Sequence, residues 1–559
     1  MKKKFWTILL AGLLAVSVTG CGAFGMMMMA GVATQLERGL EVQNPEGAVP
    51  QATAPYEMVL DEEFGYFPSG LWIGEKSAMM AAEEGYPAPD WNTEEYDYIE
   101  ESGWKSAKTT PFSTFAADVD TASYANLRRM ILRGNTIPKD AVRIEEMINY
   151  FSYDYPEPEG EDPFSVTMEM GPCPWNENAK LLLIGLKTKD LAPEEHAPSN
   201  LVFLIDVSGS MDEPDKLPLV QRAFKLLTEN LRPEDTISVV TYASSDQVVL
   251  DGVTGEEPEK IRSAIEDLMA GGGTNGSSGI VTAYSLAEKH FIEGGNNRVI
   301  LATDGDLNLG VTDKGSLTRL ITEQAKSGVY LSVLGFGSGN LSDARMEALA
   351  DNGNGNYHYI DDIGEARKVL TEEMGGTLVT VAKDVKLQVE FNPAKVAGYR
   401  QIGYENRQMA AEDFADDTKD GGEIGAGHCV TVLYEIALQG SGQELPNVDS
   451  RYEAQVEGGA SEELFALNIR YKEPDGQESK LLVFPATEEI LSEQLSDDAA
   501  WAAGVAAFGM ILRTSEHVGD MTAQQVRTML TERFPGETDT YRQEFLYLLT
   551  KFDPENIGW

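Results

Sequence analysis

Between residues 198 and 378, five short runs rich in Val, Ile and Leu, at 201–206, 236–242, 298–303, 329–335 and 356–360, alternate with segments of helical period. Continuously apolar runs suit strands buried on both faces, and strands separated by helices pair in parallel. The pattern calls for a doubly wound α/β sheet. The helix after the first run is marked by Leu217, Val220, Phe224, Leu227 and Leu231 on one side. In such a sheet ligands bind in the crevice beyond the carboxyl ends of the strands, so the chemistry should lie there.

Three loops at that edge are unusually polar. The first strand runs into Asp206-Val-Ser208-Gly-Ser210-Met211, a later loop reads Gly271-Gly-Gly-Thr274-Asn275-Gly276, and the strand beginning at Arg298 ends in Thr303-Asp304-Gly305-Asp306. Neutral hydroxyls with few carboxylates suit a small hard cation that keeps some of its waters, as Mg²⁺ does; Ca²⁺ and Mn²⁺ are the other candidates. Asp206 and Asp304 balance the ion's charge but leave its coordination unfilled. Such an ion stays electrophilic toward an incoming oxygen, above all a carboxylate from another protein. Asp212, Asp215, Asp306 and Asn308 lie nearby and are read as solvated.

Asp206-x-Ser208-x-Ser210, Thr274 and Thr303-Asp304-Gly305 together resemble a von Willebrand factor type A (VWA) domain with its metal-ion-dependent adhesion site. The resemblance implies that Ser208, Ser210 and Thr274 touch the metal directly and that Asp206 and Asp304 act directly or through water. Further residues, Asp118-Val-Asp-Thr-Ala-Ser-Tyr124, Glu145-Glu-Met-Ile-Asn-Tyr150, Gly403-Tyr-Glu-Asn-Arg407 and Gly425-Ala-Gly-His428, resemble bacterial VWA lipoproteins of the YfbK-like family.

The rest of the chain divides around this unit. Lys2, Lys3 and Lys4 precede an apolar run that closes on Val18-Thr19-Gly20-Cys21, a secretory signal similar to the bacterial lipobox. By that likeness residues 1–21 are a signal peptide and lipobox, Cys21 is lipidated, and the mature protein sits on the extracytoplasmic face of a membrane; a single-pass anchor is the alternative. Residues 22–110, acidic and rich in proline, read as a flexible linker. Residues 111–160 carry two amphipathic helices, with Asp120 placed to cap the first. Strands in 161–197 are expected to join a β-sandwich formed by 379–490, which makes the VWA unit an insertion, and helices fill 491–559. The fold class is thus multidomain α/β.

Acidic residues outnumber basic ones 91 to 44, a net charge of −47, which repels nucleic acid. Cys173 and Cys429 could pair outside the cell or remain two free buried thiols. Zincin, serine-hydrolase and P-loop signatures are missing, and the five histidines have no partner at catalytic spacing, so no catalytic residue is assigned. The expected function is a membrane-anchored module that binds a protein ligand through the cation. A scaffold for a membrane complex with a mainly structural metal is the alternative, and a metal-dependent hydrolase a third.

Overall fold

The computed structural model describes residues 93–558 apart from 118–119, 161, 192–196, 274–276, 306–313, 374–378, 420, 447–460, 475 and 477. Cys21, the signal segment, most of the expected linker and Thr274 therefore lie outside the described residues.

The α/β unit is a six-stranded sheet. Its strand order is Tyr357–Ile360, Tyr330–Phe336, Asn296–Thr303, Ser199–Asp206, Thr236–Tyr242, Asp246–Thr254. The first five are parallel, as their apolar runs require, and Ser199–Asp206 is buried along its whole length. The sixth, Asp246–Thr254, is an antiparallel edge strand that sequence reading missed. Its register shifts opposite Val239 break the two-residue alternation by which strands are recognised. Helices cover both faces. One carries Leu217, Val220, Phe224 and Leu227 and packs with Phe203 and Ile205. On the other face Ile280, Tyr284 and Ala287 pack with Val202 and Leu204, joined by Ala122 and Ala125 from the N-terminal helix Ala122–Arg133.

The flanking segments form the expected sandwich. Phe164–Pro172 pairs with Lys180–Thr188, which pairs in turn with Cys429–Leu438, a strand more than 200 residues later, with Gly185 opposite Thr431. Val396–Ile402 and the short Lys105–Ser106 complete this sheet. The second sheet contains Phe112–Ala116, Thr380–Phe391, Glu463–Lys472 and Ser479–Thr487. The α/β unit is thus inserted between Lys180–Thr188 of the first sheet and Thr380–Phe391 of the second. Leu182, Ile184, Val432 and Tyr434 face the second sheet, whereas Leu181, Leu183 and Leu433 face a helical layer. Burial on both faces explains why Lys180–Thr188 reads as an unbroken apolar run.

That layer combines both ends of the described chain. Helix Asp497–Leu512 is buried nearly all round, with Gly509 against Ile144 and Met147 and Gly504 against Leu530. The C-terminal helices and the N-terminal pair therefore share one core instead of forming separate units. Among the described residues no helix is long and apolar enough to cross a membrane.

Two expectations are overturned, and the alternative left open for the cysteines resolves to free thiols. The expected linker extends to residue 110, yet the chain is docked from Thr93: Thr93 N–H donates to Gly339 O at 2.8 Å, Glu95 N–H to Leu341 O at 2.9 Å, and Glu94 pairs with Arg129 at 2.9 Å. Acidic residues that look solvated locally are here the partners of buried arginines elsewhere. Asp120 does not cap its helix, whose N-cap Thr121 makes no side-chain cap bond; it accepts from Tyr357 N at 2.9 Å and Arg407 at 3.2 Å. Cys173 and Cys429 are free. Cys173 stands by Glu435, six residues along the strand from Cys429, roughly 20 Å away and far beyond disulfide reach.

Candidate metal centre

Asp206 is the last residue of the central strand and is fully buried. Its Oδ1 accepts the Ser208 backbone N–H at 2.8 Å, which folds the chain back in a tight Asx turn. That turn brings the Ser208 and Ser210 hydroxyls to 3.0 Å from each other. Two backbone bonds lock the glycine loop against it: Gly271 N–H to Val207 O at 2.8 Å and Gly209 N–H to Gly272 O at 3.1 Å. A third, from Gly273 N–H to Ser244 Oγ at 2.9 Å, fixes the loop just before Thr274.

Asp304 follows the neighbouring parallel strand and is also fully buried. Gly305 takes φ +94°, and a Cβ there would lie 2.6 Å from Ser342 N, so only glycine turns the chain so close to the 340–342 loop. Lys216 Nζ reaches Asp304 Oδ2 at 2.9 Å and Asn340 Oδ1 at 3.1 Å. Asp206, Ser208, Ser210 and Asp304 thus come together at the carboxyl edge of adjacent strands, where a doubly wound sheet places its ligands.

The two carboxylates differ in electrostatics. Burial pushes Asp206 up to about 6, only partly offset by hydrogen bonds from Ser208, and the charge of Asp304 adds to the rise. No hydrogen bond of good geometry reaches Asp206 Oδ2, and the buried Tyr242 hydroxyl stands beside this carboxylate as a neutral group that only weakly offsets its burial. Burial also opposes ionisation of Asp304, but the Asn340 side chain, the Lys216 ammonium and Ser210 outweigh it and hold the carboxyl below its ordinary value. A buried carboxylate oxygen without a partner is costly unless something positive sits against it.

The donors therefore fit a hard cation. An orphaned carboxylate oxygen and two converging hydroxyls supply oxygen alone, the set Mg²⁺ takes, and no sulfur or imidazole that would favour a transition metal. With only two carboxylates among the donors, no cluster of three or more His, Cys, Asp and Glu metal ligands occurs among the described residues. Asp212 is exposed, as expected. Asp215 instead pairs with Arg133 at 3.3 Å and accepts from Ser338. Asp306 and Asn308 lie outside the described residues. Sequence reading missed Lys216, Asn340 and Tyr242. Lys216 left one signal, a cation at the N-cap of an apolar helix, where an acceptor is usual.

Three family models match the chain: "von Willebrand factor" over residues 90–183, "von Willebrand factor type A domain" over 200–372, and "Uncharacterized protein YfbK, C-terminal" over 376–554. The Uncharacterized protein YfbK of Escherichia coli K12 is 43% identical over 471 residues, 82% of this chain and 81% of that protein. The chain belongs to the YfbK-like VWA family. Within this YfbK-like chain a shorter stretch is 33% identical over 165 residues to human inter-alpha-trypsin inhibitor heavy chain H4, 28% of this chain and 18% of that one. Among solved structures, a von Willebrand factor type A protein from Catenulispora acidiphila is similar with TM-score 0.40 and 17% identity, covering 66% of this chain and 87% of that chain. The boundaries of the YfbK-like matches fall close to those of the layers, the VWA match spanning the α/β unit and the C-terminal match the second sandwich segment with its helices.

Proposed function

We propose that this VWA protein is a non-enzymatic interaction module that binds a protein ligand through a divalent cation, most simply Mg²⁺, held by Asp206, Ser208, Ser210, Thr274 and Asp304. The observation that carries the reading is the buried, partnerless Oδ2 of Asp206 beside the Ser208–Ser210 hydroxyl pair. A bound cation would supply an electrophilic position that a ligand carboxylate completes. The protein's own part is to hold the donors: the Asx turn orients the two serine hydroxyls, and the rigid sheet fixes the spacing of the two carboxylates.

The sequence Val18-Thr19-Gly20-Cys21 supports the further proposal that a lipid on Cys21 tethers the protein to the extracytoplasmic face of a membrane, with the acidic segment before Thr93 as spacer. The test is affinity capture from an envelope extract on the immobilised chain from residue 93 onward, with Mg²⁺ or with EDTA, beside Asp304→Ala. A protein retained by the parent in Mg²⁺, released by EDTA and absent from the variant is expected. A protein retained equally by the variant in EDTA would contradict the reading.

A further inference from the structure

Lys216 stands where a lysine is electrostatically ill placed. It occupies the N-cap of helix Leu217–Thr228, the positive end of the helix dipole, and its side chain is only 7% exposed. Removing an ammonium from water is unfavourable unless a partner offsets it, and the partner is Asp304, itself fully buried, at 2.9 Å, with Asn340 Oδ1 at 3.1 Å. The fold makes room for this reach. Gly337 takes φ +76°, and a Cβ there would come within 2.4 Å of Lys216 Cγ and 2.5 Å of its Cε. The lysine stem therefore runs through a slot that only glycine leaves open.

We propose that Lys216 is a built-in counter-cation of the metal centre: it pairs with Asp304, opposes entry of the divalent ion, and reserves part of that ion's charge for an acidic partner. The inference rests on the cation-binding reading above and concerns how tightly that site holds its ion. The charge arithmetic is direct. Asp206 and Asp304 bring two negative charges, which alone would neutralise a dication. With the Lys216 ammonium on Asp304 the net negative charge is one, so an ion held there keeps one unit of positive charge unbalanced. Two cations sharing one buried carboxylate repel each other at short range, which weakens metal binding by the free protein. A carboxylate arriving from a ligand restores neutrality, so cation and ligand should bind with positive coupling.

The experiment compares calorimetric titration of Mn²⁺ into the parent chain and into Lys216→Met, which keeps the stem against Gly337 and removes the charge, in about 0.15 M salt. Lys216→Gln, which retains a donor toward Asp304, replaces it if the methionine variant does not fold. Binding about tenfold tighter in the variant is expected, since one like charge at contact distance is worth at least that factor. Binding by the variant with none by the parent would also support the proposal. Parent and variant binding with equal affinity, or the variant more weakly, would overturn it while leaving the cation-binding reading in place. Absence of binding in both would overturn the two together.

Discussion

Asp206 and Asp304 are the same residue type at equivalent ends of adjacent strands, and their surroundings send them in opposite directions. Asp304 has an ammonium and an amide against it, and Asp206 has one backbone N–H on one oxygen and only the neutral Tyr242 hydroxyl near the other, with no hydrogen bond of good geometry. In the absence of a divalent cation Asp206 is thus a destabilising charge at neutral pH. Burial raises its folded pKa to about 6, above the ordinary aspartate value of 3.8, so the folded state binds its proton more tightly and this penalty grows as pH rises through that window. Asp206→Asn in EDTA should raise stability at pH 7 by on the order of 1–3 kcal/mol. The gain should fade as pH falls toward 4, where the parent's carboxyl takes up its own proton. Chemical denaturation at the two pH values checks this, and a variant less stable than the parent at pH 7 would contradict the assignment. Both carboxylates and both serines were legible in the sequence, because spacing at strand ends is a local property. Lys216 and Asn340 were not, since they reach Asp304 from 88 and 36 residues away in the chain and follow no spacing rule.

The elements are joined by buried guanidinium groups. Arg128, on the first described helix, donates to Asp361 and Glu365 of the VWA unit, to Glu544 of the C-terminal helix Thr540–Lys551 at 3.0 Å, and is held by the Tyr150 hydroxyl at 2.9 Å. Arg143 likewise bridges Glu146 and Asp343. Arg128→Met leaves three carboxylates buried beside one another without their cation and should lower stability by about 3–5 kcal/mol, read as a shift of the denaturation midpoint. A loss below about 1 kcal/mol would show that the bridge is dispensable. The helix Ala122–Arg133 itself was legible from its apolar stripe and from Gly134, which ends it at φ +66°. Its charged side was not, because the carboxylate partners of Arg128 lie 233 to 416 residues away. The edge strand Asp246–Thr254 and the short Phe112–Ala116 strand escaped for a related reason. Each is defined by pairing with a neighbour, across bulges or over five residues, more than by its own pattern.

For the whole molecule, the insertion ties the candidate site to the segments around it. The strand that ends in Asp206 begins eleven residues after sandwich strand Lys180–Thr188, and the chain at Thr93 to Glu95 hydrogen-bonds to the 339–341 backbone, next to the Asn340 side chain that holds Lys216. The inserted architecture was readable because the strands on either side of the α/β unit share one texture. The docking of residues 93–110 was not, since acid-rich sequence looks like linker until its arginine partners are seen. A net charge of −47 gathers cations over the whole surface, so a metal signal has meaning only when it depends on the site. The decisive measurement is calorimetric titration of Mg²⁺, Ca²⁺ and Mn²⁺ into the chain from residue 93 onward, in about 0.15 M salt, beside the Asp206→Ala/Ser208→Ala double variant. Saturable single-site binding by the parent and none by the variant is the predicted result; equal heats from both, or no heat from either with Lys216→Met silent as well, would contradict the metal centre.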